Sequence, residues 1–152
     1  MRQYAGDKLI FKLCGRRFAL DTATVDRIVE LDRIYFLPGM AGFVEGIITL
    51  RGEPVAVVDA GKAITGRSPL EPERAHKVIV AREQHRVIGL DIGEAEVSFL
   101  WGHEIEGCSV EEPPAGFIRA VLTAGDSATE LIDTAAVYEE SKKLLATGET
   151  VE

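Results

Sequence analysis

The chain has 152 residues, 25 acidic and 17 basic, for a formal net charge of −8 and an isoelectric point near 5.0. A chain of this length forms one domain and buries roughly 68–70% of the surface its unfolded form exposes, so it needs neither disulfides nor a structural metal. The acidic balance repels a phosphate backbone and argues against nucleic acid as a partner, and two cysteines, Cys14 and Cys108, without Cys-x-x-Cys spacing read as buried thiols of a reduced, cytoplasmic protein.

Residues 1–6 read as a tail: Arg2 to Asp7 contain no apolar stretch of the kind a signal peptide carries, and no later apolar run approaches the about 18 residues of a membrane span. Lys8 to Leu13 and Arg17 to Leu20 are extended runs around a turn at Gly15-Arg16. Asp21 to Thr24 supply cap residues for a helical turn, and Val25 to Leu31 lead on as a strand. Leu37-Pro38-Gly39 and Gly42 mark a loop. Phe43 to Leu50 and Pro54 to Val58 then form a hairpin around Arg51-Gly52-Glu53, with Asp59 capping a short irregular or helical piece over 60–67.

Ser68 to Arg74 is polar, proline-punctuated and read as an internal linker. A second hairpin follows, His76 to Ala81 and Arg86 to Ile92. Glu94 to Leu100 alternates, with Ala95, Val97 and Phe99 sharing one face. Trp101 to Ala115, with Pro113-Pro114, reads as a long loop, and Phe117 to Leu122 and Thr129 to Ile132 as a last strand pair. This second half repeats the layout of the first. A helix over 134–148 ends the chain, with Gly148 as its stop and 149–152 as a tail.

The string Phe43-Val44-x-Gly46-Ile47-Ile48-x-Leu50-Arg51-Gly52, followed by Pro54-x-Ala56-Val57-Val58-Asp59, resembles the CheW-like domain of bacterial chemotaxis, shared by the adaptor CheW and the regulatory domain of the histidine kinase CheA. Gly15-x-x-Phe18-Ala19-Leu20 and Val25-x-x-Ile28 match in order; Val87-x-Gly89-Leu90 and Leu131-Ile132-Asp133 match more loosely. The resemblance implies an all-β fold over 8–138, of two five-stranded SH3-like barrels around a shared core. Subdomain 1 would span 15–67, subdomain 2 would take 8–14 plus 75–133, and the helix follows. It also implies a non-catalytic adaptor without cofactor, coupling a chemoreceptor's cytoplasmic tip to the CheW-like regulatory domain of a CheA-type kinase, in the cytoplasm and without inserting into the membrane. A CheA-type pathway with another output, such as surface motility, is the alternative. Departures from the family's usual pattern are Thr49 for Asn, Ala60 for Leu, Ala120 for Gly, and Arg27 where an acidic residue is frequent.

Arg51 reads either as a solvated turn residue or, by the resemblance, as a contact to kinase and receptor, for which its planar fork suits a partner carboxylate. Val25, Arg27, Ile28, Phe43 and Val44 are the other candidate partner-binding residues, the apolar ones dividing between core and an exposed groove. Gly46 and Gly52 read as backbone requirements, a bulge or close approach and a turn with positive φ. An enzyme would need convergent polar groups. His103-Glu104 lacks the second histidine of a zinc-protease motif, Gly61-Lys62 lacks the upstream glycine and hydroxyl of a phosphate loop, and no catalytic or metal set stands out.

Overall fold

A computed structural model describes residues 4–32, 42–71, 74–111 and 116–151. The Leu37-Pro38 loop, Pro72 and the Pro113-Pro114 loop lie outside the described residues. Eleven strands and three helices follow one another as β1 (Lys8–Leu13), β2 (Arg16–Asp21), β3 (Val25–Leu31), β4 (Val44–Leu50), β5 (Glu53–Asp59), α1 (Ala60–Thr65), β6 (His76–Glu83), β7 (Arg86–Asp91), β8 (Ser98–Leu100), α2 (Gly102–Ile105), β9 (Ser109–Glu111), β10 (Ile118–Ala124), β11 (Ser127–Ile132) and α3 (Thr134–Val151). They form a six-stranded sheet, β8-β1-β2-β11-β10-β9, and a five-stranded one, β3-β6-β7-β5-β4. Neighbours run antiparallel except for two parallel contacts, β2 with β11 and β5 with β7.

Tight turns hold the hairpins whole. Cys14-Gly15 joins β1 to β2 with φ of 51° and 78°, and Arg51-Gly52 joins β4 to β5 with 50° and 81°. Two central residues at positive φ make the turn whose twist matches the strands it connects. Hence β2 cannot leave the sheet of β1, and the expected division, 15–67 against 8–14 plus 75–133, is not how the strands pair. The sheets exchange hairpins instead: β1–β2 from the first half completes the sheet of β8, β10 and β11, while β6–β7 from the second joins β3, β4 and β5.

Strands so placed are covered on both faces. From β1, Leu9, Phe11 and Leu13 enter a core shared with Val58, Ile79, Leu90 and Val137 of α3, whereas Ile10 points the other way toward Ala19, Ala120 and Leu131. In β6, Ile79 and Ala81 join the shared core, and Val78 and Val80 meet Val55 and Val57 inside the five-stranded sheet. Near-continuous apolar runs follow from this two-sided burial.

Several local expectations give way. The sheet of β1 has six strands, because short β8 and β9 flank it. Residues 94–97 are irregular and pairing starts at Ser98 opposite Ile10, so the alternation breaks and Phe99 faces outward. The stretch expected as one loop contains α2 and β9, whose three- and four-residue lengths leave no periodic signature. α3 runs through Gly148 to Val151, since an internal glycine costs only about 1 kcal/mol relative to alanine. Cys14 is exposed at its turn, not buried.

Lys8 is 0% exposed, and its ammonium is fully engaged, 2.7 Å from Asp21 Oδ1 and donating to the carbonyls of Tyr4 at 2.8 Å and Gly6 at 2.7 Å. Removing one partner of a buried pair strands the other charge, whereas replacing both with apolar groups can be neutral. Asp21→Ala should therefore lower the unfolding free energy by about 3 kcal/mol, and adding Lys8→Met should restore part of that loss, as measured by denaturant titration. Equal losses in the single and double variants would show that the pair is not coupled.

Candidate functional site

The β4–β5 turn puts Arg51 on an exposed, geometrically defined tip. Among the described residues it has no ion-pair partner. Gly52 beside it would find open space around an added Cβ, so its glycine answers to backbone conformation and not to crowding. One residue on, Glu53 receives the Arg82 guanidinium at 2.6 Å, and that bond holds its carboxyl below the usual range. Arg82 Nη2 also lies 3.7 Å from Asp26, whose Oδ2 is 3.4 Å from Arg27 Nε. Alternating charges thus run Glu53–Arg82–Asp26–Arg27 across β5, β6 and β3. Arg27 is spent partly inside the molecule, 3.4 Å from Asp26, while Arg51 has no ion pair among the described residues.

The apolar candidates separate. Val44 is buried in the shared core, Val25 is half-buried and packs on it, and Phe43 is half-buried with its ring edge-on to Phe117 at 5.6 Å. Ile28 is 38% exposed on β3, one edge of the five-stranded sheet. Ile47, 43% exposed on the opposite edge strand β4, joins it as a residue the sequence reading did not single out. A shift in register between Val44 and Gly46 explains why: the bulge buries three consecutive residues, Val44, Glu45 and Gly46, and resets which face the later residues take. Counting back from half-buried Ile48 and Leu50 would have found Ile47. Asp59, nearly buried, accepts from the Lys62 N–H at 3.0 Å and caps α1.

A second exposed apolar spot sits on β8, at the edge of the other sheet. Phe99 and Trp101, 55% and 53% exposed, stack with centroids 6.0 Å apart, and the Trp101 backbone N–H donates to Glu104 Oε2 at 2.7 Å. No group of three or more metal-ligating side chains occurs among the described residues, and none of their helices is long and apolar enough to cross a membrane. The exposed arginine on its turn and the apolar residues on three sheet edges, β3, β4 and β8, suit docking to another protein.

Comparison with known proteins agrees. A family model described as the CheW-like domain matches residues 7–142. The chain is 23% identical over 142 residues to a probable chemotaxis protein CheW of Rhizobium etli, covering 90% of this chain and 91% of that protein. The crystal structure of the scaffolding protein TtCheW from Thermoanaerobacter tengcongensis has the same fold, with a TM-score of 0.65 at 24% identity over 84% of this chain and 88% of that one. With a match spanning nearly its whole length, the chain belongs to the CheW-like domain family of non-catalytic chemotaxis scaffolds.

Proposed function

We propose that the protein is a cytoplasmic adaptor that binds the CheW-like regulatory domain of a CheA-type histidine kinase and couples it to the cytoplasmic tip of a chemoreceptor. The observation that carries this reading is Arg51, a solvent-facing guanidinium held on a tight turn beside an otherwise internally paired row of charges. An arginine without an ion-pair partner among the described residues can offer its five donors to an acidic group on another protein. Exposed Ile28 and Ile47 supply apolar contact area on the same sheet. Family membership supports the identity of the partners. Recruitment to receptor arrays then occurs through those partners and not through a membrane segment of the described chain.

Isothermal calorimetry of the purified protein against a CheA homologue from the same organism tests the proposal; absence of binding would overturn it. In the same assay Arg51→Glu should weaken binding by about 2–5 kcal/mol, while shifting the unfolding free energy by about 0.5 kcal/mol or less. Affinity indistinguishable from wild type would reduce Arg51 to a solvated turn residue. Ile47→Asp should cost at least about tenfold in affinity for kinase or receptor, with secondary structure retained. If both partners bind this variant normally, the β4 edge lies outside the interface.

A further inference from the structure

The two halves place an aspartate at the same point, the end of a hairpin's second strand. Asp21 ends β2 opposite Lys8, and Asp91 ends β7 opposite Val78. In both sheets a bulge carries a charged side chain toward that aspartate. The bulge of β10 brings Arg119, whose Nη1 lies 3.6 Å from Asp21 Oδ2. The bulge of β4 brings Glu45, whose buried carboxyl lies beside those of Asp59 and Asp91, themselves opposite each other on β5 and β7. Asp21 therefore meets two cations, Lys8 and Arg119, whereas Asp91, fully buried, meets a second carboxyl.

The remaining neighbours do not neutralise that second carboxyl. Asp91 accepts from the Gly93 N–H at 2.9 Å and lies 2.7 Å from His76 Nδ1 of β6. From the end of β5, Asp59 adds another negative charge facing Glu45. Lys62 of α1 lines the same cleft of about 220 Å³, and α3 reaches this corner with Leu144 beside Gly42. Glu45 is only 7% exposed, and its Oε2 has no hydrogen-bond partner. Two buried carboxyls in contact cannot both be charged, so the pair keeps one proton.

We propose that Glu45 is the neutral acid of this pair and donates its proton to the Asp91 carboxylate, making the β4 bulge a proton-operated latch. Burial first, then the bond to Asp91 and the charges of Asp91 and Asp59, push the Glu45 carboxyl up to about 10. Loss of that proton to solvent sets two carboxylates against each other at the root of β4, the edge strand that carries Ile47 and ends at Arg51. The folded state retains a proton that the unfolded chain releases above its ordinary carboxyl value of 4.5. The contribution of Glu45 to stability is therefore greatest below that pH and declines as pH rises toward the folded-state value.

Thermal unfolding from pH 5 to pH 9 tests the latch. The wild-type midpoint should fall by on the order of 10 °C over this range, whereas Glu45→Gln, which still donates to Asp91, should lose much less and be the more stable protein at pH 9. Parallel pH profiles for the two proteins would overturn the proposal. Carboxyl carbon resonances of glutamate-labelled wild type decide independently of whether the variant folds: one glutamate should keep its protonated shift at pH 8, and titration of every glutamate below about pH 6 would refute a shared proton. Amide exchange over 47–50, corrected for its intrinsic pH dependence, should accelerate with pH in wild type; unchanged protection would refute the latch.

Discussion

Two parallel strand contacts, β2 with β11 and β5 with β7, hold the molecule together across its halves. Antiparallel partners can be joined by a two-residue turn, but parallel ones need a long connection, so each contact unites strands distant in sequence. Each hairpin is then sandwiched between strands of the other half. Without the exchange, the faces of β1 and β6 that now meet in one shared core would be left against water. At about 25 cal/mol per Å² of apolar surface, that core is the dominant favourable term.

The same exchange fixes the polar interior. The carbonyls of Tyr4 and Gly6, with Asp21, cradle the Lys8 ammonium, an arrangement that pins the start of β1 in place. Related positions near the end of β7 hold the His76–Asp91 pair and Glu45. Similar backbones thus enclose opposite electrostatics: surplus cation around Asp21, surplus carboxyl around Asp91. Phe43 and Phe117, each just before a bulged strand, meet edge to face where the halves join. Their carbonyls accept from the N–H groups of Asp59 and Asp133, the residues whose side chains cap α1 and α3.

What could be read from the sequence was local. The β4–β5 hairpin, its Arg51-Gly52 turn and the Asp59 cap rest on contacts between near neighbours and on turn chemistry that few residues can supply. The family pattern added the overall architecture. Hairpin exchange was not readable because strand pairing between distant segments leaves no mark on periodicity. The bulge at Glu45 was hidden for a related reason: strict alternation from buried Val44 puts Glu45 and Ile47 on the same outward face, and the inserted residue buries Glu45 while Ile47 stays exposed. Lys8 looks like a surface lysine at a strand start until its three acceptors, two of them from the preceding turn, are seen together.

On the proposed function, partner binding falls to the sheet edges. The middle residues of β1, β2, β6 and β7 are apolar and buried. Strands β3, β4 and β8 each carry a large apolar residue exposed to solvent: Ile28, Ile47 and Phe99. Backbone strain does not by itself single out Arg51, since Cys14 and Gln84 hold the same positive φ at the first position of their own turns. The left-handed region costs a non-glycine residue roughly 1 kcal/mol wherever it occurs. Charge is what separates the three. Cys14 places its Sγ 3.5 Å from the Arg67 carbonyl and Gln84 is neutral, whereas Arg51 extends a full positive charge beside a row already balanced without it. Held on a two-residue turn and without an ion pair among the described residues, that charge is the feature on which the proposed contact rests.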